Sequence, residues 1–65
     1  MELNLTAIRI ELAKKNWNLI DLSKNADIPY TTVTSVMSGR RGGTIKTVGK
    51  IAKGLGVDVT AILQE

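Results

Sequence analysis

Asn18-Leu-Ile-Asp-Leu-Ser-Lys-Asn-Ala-Asp-Ile-Pro-Tyr-Thr-Thr-Val-Thr-Ser-Val-Met-Ser-Gly39 is the stretch that decides how this chain folds. It reads as two short helices joined by a tight corner. Asn18, followed three residues on by Asp21, resembles a capping pair that opens the first helix, with Leu22 and Ala26 on its buried side. The second half is ambiguous by composition, because Tyr30-Thr31-Thr32-Val33-Thr34-Ser35-Val36 is rich in residues that favour strands. A strand buries alternate residues, whereas the apolar positions here are 33, 36 and 37, one face of a helix. Pro29 suits a first helical turn, where its missing N–H costs nothing, and Gly39 suits the stop. The segment is therefore read as a helix that tertiary packing, rather than propensity, holds in place.

Outward from this pair the chain divides at Gly and Asn into further short segments. Leu5, Ile8 and Leu12 recur at i, i+3 and i+7, which predicts a helix from about Asn4 to Lys15 with Asn4 as N-cap and Lys14-Lys15 at its negative pole. Arg40-Arg41-Gly42-Gly43 is a loop by composition. Thr44 then caps a fourth helix expected to bury Ile45, Val48, Ile51, Ala52 and Leu55. Within that helix Gly49 and Gly54 each cost roughly 1 kcal/mol against Ala, a cost that close packing would justify. Gly56 ends it, and Asp58 caps a short fifth helix containing Ala61, Ile62 and Leu63. Trp17 reads as a plug between the first two helices rather than a stacking platform. The pattern predicts one compact all-α domain over residues 1–65, with five helices and no repeats or linkers.

Composition removes several function classes. The 65 residues include no Cys and no His, which excludes disulfides and thiolate or imidazole metal sites and takes away the commonest acid–base catalyst. The acids Glu2, Glu11, Asp21, Asp27, Asp58 and Glu65 are scattered, and several are explained as caps, so no catalytic constellation is formed and no enzyme is expected. No apolar run approaches the roughly 20 residues that span a bilayer. Met1-Glu2-Leu3-Asn4 lacks the basic, then apolar, pattern of a secretory leader, so a cytoplasmic location is expected. The net charge of +3 favours a polyanionic partner.

Taken in order, these segments resemble the helix-turn-helix family of phage Cro and cI repressors, the Xre-like family. The resemblance spans about Leu5 to Leu63. Asn18-Leu-Ile-Asp-Leu-Ser is similar to the opening of the family's second helix, Asp27-Ile28 to its corner, and Thr32-Val33-Thr34 through Gly39 to its recognition helix. Ile51-Ala52-Lys53-Gly54-Leu55-Gly56-Val57 is similar to the family's fourth-helix ending. Each piece is weak alone; in this order and spacing they are specific. The resemblance implies a lambda-repressor-like domain that binds double-stranded DNA, as a homodimer on a near-palindromic operator, without a cofactor or metal.

It also implies a site. The family's base-reading positions correspond to Tyr30, Thr31 and Ser35. Their hydroxyls can donate or accept, and a Thr methyl can lie against a thymine methyl. Backbone contacts are expected from Asn18, Thr34, Ser38, Arg40, Arg41, Gly42 and Lys46. Arg40 and Arg41 alone would be ordinary solubility charge; directly after the recognition helix, beside glycines that expose backbone N–H groups, they point to phosphate. Lys46 lies at a helix N-terminus, which also attracts phosphate. Lys14, Lys15, Lys50 and Lys53 are read as a solvated face.

Three departures from the family accompany this. Leu19 stands where many relatives carry a Gln that helps hold a phosphate, and Gly43 where a Pro is usual. Leu12 and Met37 stand where many relatives bury an Arg–Glu ion pair. Both members are apolar here, so no charge is stranded. The resemblance further implies a transcriptional regulator of a phage, mobile element or bacterial operon. Val59, Ile62 and Leu63 are expected either at a dimer seam or in the monomer core. The rival reading is an antitoxin or protein-interaction module on the same fold.

Overall fold

The computed structural model describes residues 2–64; Met1 and Glu65, the latter among the acids considered above, lie outside the described residues. It contains α1 (Leu5–Lys15), α2 (Leu19–Ala26), α3 (Tyr30–Met37), α4 (Ile45–Leu55) and a three-residue 3-10 turn, Val59–Ala61. The result is a compact all-α domain of four helices plus that turn, consistent with a lambda-repressor-like fold. The fifth helix expected after Asp58 is thus a correction. Asp58 does cap it, accepting from the Thr60 N–H at 3.0 Å, but the segment closes after one turn. Three residues give too few backbone bonds to propagate an α-helix.

The caps explain where each helix begins. Asn4 accepts from the Ala7 N–H at 3.0 Å, and Thr44 from the Thr47 N–H at 3.2 Å. Asn18 and Asp21 form a reciprocal capping box, Asn18 Oδ1 accepting from the Asp21 N–H at 2.9 Å and Asp21 Oδ2 from the Asn18 N–H at 3.0 Å. Pro29 occupies the N-cap of α3 rather than its first turn, and its carbonyl accepts from the Thr32 and Val33 N–H groups. A proline at the cap gives no side-chain hydrogen bond. The corner before it is made by Asp27 in the left-handed region at φ 56°, a conformation that Asp tolerates better than most residues. Buried Ile28 anchors that corner from inside, and Lys50 Nζ of α4 donates to the Asp27 carbonyl at 3.2 Å.

Ile8, Leu12, Leu22, Ala26, Ile28, Val33, Val36, Met37, Val48, Ile51, Ala52, Leu55 and Ile62 form the core. α2 packs on both α3 and α4. At the α2–α4 crossing, a Cβ on Gly54 would lie 2.8 Å from the Ala26 Cα, so this glycine does serve close packing; one on Gly49 would meet nothing within 4 Å. Trp17 is half-buried against the core, with Lys15 Nζ 5.8 Å from its ring centroid. One expectation about burial is overturned and one open choice is decided. Ile45 is 79% exposed, because α4 begins beyond the edge of the core and its first residue finds nothing to pack on. Ile62 is fully buried, so it completes the monomer core and is not available to a dimer seam.

The ends of the chain meet in a way the helical pattern does not announce. Leu3 and Leu63 form an antiparallel bridge, flanked by Asn4 N–H to Ile62 carbonyl at 2.8 Å and Gln64 N–H to Glu2 carbonyl at 3.0 Å. This ties the start of α1 to the end of the chain and holds Ile62 in place.

Candidate nucleic-acid interface

α3 owes its orientation to its apolar residues. Val33, Val36 and Met37 are buried against the core, which turns Tyr30, Thr31, Thr34, Ser35 and Ser38 away from it. Tyr30, Thr31 and Ser38 are exposed; Thr34 and Ser35 are half-buried on the flanks. The hydroxyls fall into two groups. Thr34 Oγ1 donates to the Thr31 carbonyl at 3.0 Å, and Ser38 Oγ to the Ser35 carbonyl at 3.1 Å. Both are turned back onto their own helix. The Tyr30, Thr31 and Ser35 hydroxyls make no hydrogen bond among the described residues, so they remain open to an external partner. No charged side chain stands anywhere on α3.

The loop after α3 is shaped by the helix end. Gly39 adopts φ 80°, the left-handed conformation that suits glycine, and the Arg40 and Arg41 N–H groups both bond the Ser35 carbonyl. With their backbones held there, the Arg40 and Arg41 side chains and Gly42 are exposed. Gly43 is not. It is buried so closely under Val48 and Leu3 that an added Cβ would sit 2.6 Å from Val48 Cγ2. Only Gly42 of the glycine pair therefore offers an open backbone. Lys46 is exposed on the first turn of α4. Asn18 is exposed, but its side-chain oxygen is occupied by the capping box, leaving its amide NH2 as the free donor.

The lysines read as a solvated face are only partly so. Lys14 and Lys15 both pair with Glu11, at 3.3 and 3.4 Å, and these partners hold the Glu11 carboxyl below the usual range, the Lys14 hydrogen bond most of all. Lys50 is used at the corner; Lys53 is exposed.

Leu12 and Met37 are both buried and line one groove between α1, the start of α2 and the end of α3. Beside them, Arg9 Nη2 donates to the Met37 carbonyl at 3.3 Å, linking α1 to the C-terminal end of α3. Arg9 is a residue that pattern reading passes over. Its only signal is the i, i+3 spacing to Leu12, which puts it on the flank of the α1 face that meets α3.

Among the described residues no three His, Cys, Asp or Glu are gathered to hold a metal, and no helix is long and apolar enough to cross a membrane. A family model described as helix-turn-helix matches residues 8–62. Comparison with curated proteins and with solved structures found no match.

Proposed function

Since the chain belongs to the Cro/cI-type (Xre-like) helix-turn-helix family of DNA-binding domains, we propose that it is a sequence-specific transcriptional regulator that lays α3 in the major groove of an operator. The observation that carries this reading is the division of hydroxyls on α3. Tyr30, Thr31 and Ser35 keep theirs unengaged on the outward side, while the neighbouring Thr34 and Ser38 spend theirs on helix carbonyls. In this role Tyr30, Thr31 and Ser35 touch base edges. Asn18, Thr34, Ser38, Arg40, Arg41, Gly42 and Lys46 follow the phosphates, Thr34 and Ser38 by turning their hydroxyls from the helix carbonyls to donate to a phosphate oxygen.

The chemistry of that face sets its selectivity. With no Arg, Asn or Gln on α3, the bidentate contacts to guanine or adenine are absent. Hydroxyl contacts and the Thr31 methyl against thymine supply direct readout, and DNA shape supplies the remainder. The regulator acts as a small repressor in the manner of Cro, as a homodimer on a two-fold site. Its seam draws on exposed Val59 and half-buried Leu63.

A competition titration of selected against random duplex tests this. Thr31→Ala and Ser35→Ala should leave the fold intact. Each should cost roughly 1–3 kcal/mol on the selected site and much less on random DNA. Tyr30→Phe asks whether the hydroxyl or the ring is used. If all three variants keep the wild-type ratio, α3 does not read sequence. The protein-interaction reading, which the exposed Ile10, Ile20 and Ile45 favour, then takes its place.

A further inference from the structure

α3 is weakly fixed by its own ends. Pro29 at its N-cap gives no side-chain hydrogen bond, and the helix carries no charged residue. At the other end the Arg40 and Arg41 N–H groups both turn to the Ser35 carbonyl. The Met37 carbonyl, the last of α3, therefore receives no backbone N–H among the described residues. Among the helices, α3 packs chiefly on α2. Packing on one neighbour sets a crossing angle only to within about 15–20°. Two cationic side chains from the other helices close that freedom. Arg9 Nη2 of α1 donates to the Met37 carbonyl at 3.3 Å, and Lys50 Nζ of α4 donates to the Asp27 carbonyl, in the corner before α3, at 3.2 Å. The Asp27 carbonyl likewise receives no backbone N–H among the described residues.

We propose that Arg9 and Lys50 are positioning residues, which hold α3 at one angle to the domain by its two ends, and that sequence discrimination by this chain depends on them. Both bonds are charge-assisted, and the one at Met37 also places a cation at the negative end of α3. Glu11, the acid of α1 nearest to Arg9 in sequence, is taken up by Lys14 and Lys15 and does not compete for it. The reading side gives the reason for such anchoring. Thr31 and Ser35 are short, and hydrogen bonds weaken steeply as their geometry departs from ideal. A long Arg or Gln can follow a base edge through a small swing of its helix; a Ser or Thr hydroxyl cannot. α3 carries neither Arg nor Gln, so accuracy must come from the placement of the helix itself.

This inference rests on the reading of α3 as a major-groove helix, and the test keeps the two apart. The full chain is compared with Arg9→Met and Lys50→Met, which keep the aliphatic stems, with Arg9→Lys and Lys50→Arg, which keep a cationic donor, and with Lys53→Met. Lys53 is exposed and makes no side-chain hydrogen bond among the described residues, so its loss reports the effect of charge alone. Residual dipolar couplings of the backbone N–H groups, measured without DNA, should show α3 reoriented against α2 and α4 in both tether-to-Met variants and unmoved in Lys53→Met. Each variant is then titrated with the duplex selected by the wild type and with a random duplex, across a salt series. Each tether-to-Met variant should lower the ratio of selected to random affinity by about twofold to tenfold, the worth of one hydrogen bond. The ratio should hold in Lys53→Met and recover in Arg9→Lys and Lys50→Arg, and the slope of log affinity against log salt should match that of Lys53→Met. Unmoved α3 couplings in both tether-to-Met variants overturn the proposal, whether or not DNA binds. So does a reoriented α3 that keeps the wild-type ratio. Equal losses on both duplexes, with a slope lowered by about 0.9 relative to Lys53→Met, also overturn it, because they mark direct phosphate contacts. A wild-type chain that binds neither duplex overturns the DNA reading and the dependence of discrimination on the tethers, while the couplings still decide whether Arg9 and Lys50 hold α3.

Discussion

Gly49→Ala and Gly54→Ala add the same methyl group to the same helix and should move stability in opposite directions. At position 49 the new Cβ meets nothing within 4 Å. The substitution then acts only through helix propensity and the entropy of the unfolded chain, a gain of up to about 1 kcal/mol. At position 54 the Cβ would lie 2.8 Å from both the Cα and N of Ala26 and 3.0 Å from the Asn25 carbonyl carbon. Carbon atoms rest at about 3.5–4.0 Å, so α2 and α4 must part by several tenths of an ångström or more. The obstacle is backbone and cannot rotate aside. Overpacking of this kind costs about 1–3 kcal/mol, and a rigid neighbour puts it at the upper end. Offset by the same propensity gain, the net loss is about 2 kcal/mol. For a domain this small each kcal/mol moves the Tm by about 4–8 °C. Gly49→Ala should therefore melt about 4–8 °C above the wild type and Gly54→Ala about 8–16 °C below it. Paired thermal and urea melts of the three proteins decide it. A Gly54→Ala protein as stable as the wild type would refute the close approach of α2 and α4. Since α3 is packed on α2, Gly54→Ala should also weaken DNA binding, whereas Gly49→Ala should not.

The groove at Leu12 and Met37 predicts an asymmetric double-mutant cycle. Leu12→Arg brings a second cation beside Arg9 and should cost roughly 3–5 kcal/mol, as an unpaired buried charge does. Met37→Glu gains Arg9 as a partner and should cost less, and the double substitution should recover part of the sum. Strict additivity in urea melts would show that the two sites do not touch. Arg40→Ala and Arg41→Ala should weaken binding to all duplexes alike, each lowering the salt slope by about 1; an unchanged slope in both would remove them from the interface. The Asp58 carboxyl is held below its usual range by the Thr60 N–H, then by the Thr60 hydroxyl. Its folded-state pKa is therefore the depressed one, so its stabilisation is present at neutral pH and is lost as pH falls below about 4. Urea melts from pH 7 to pH 2 should show an acid limb that is shallower in Asp58→Asn, which can still cap the turn.

Much of the architecture was legible from local chemistry. Asn4, Asn18 and Thr44 mark helix starts because a side-chain oxygen there satisfies N–H groups that every helix leaves open. Gly39 and Gly56 mark stops because a left-handed residue closes the other end. The apolar positions 33, 36 and 37 settle α3 against its own β-propensity, and in doing so they aim Tyr30, Thr31 and Ser35 outward. These are relations between residues three or four apart, and the chain carries them in its spacing.

What spacing does not carry is where a helix lies relative to its neighbours. Ile45 sits in register with Val48 and Ile51, yet it is exposed because α4 overhangs the core. Gly54 and Gly49 look alike in sequence, and only the crossing of α2 distinguishes a contact from an idle cost. The Leu3–Leu63 bridge joins residues at opposite ends of the chain and commits Ile62 to the monomer interior. Arg9 reaches the end of α3 across 28 residues of separation. Local bonding depends on neighbours in the chain and can be read from it. Burial and long-range contact depend on how four helices share one small core, and that is decided only when all of them are in place.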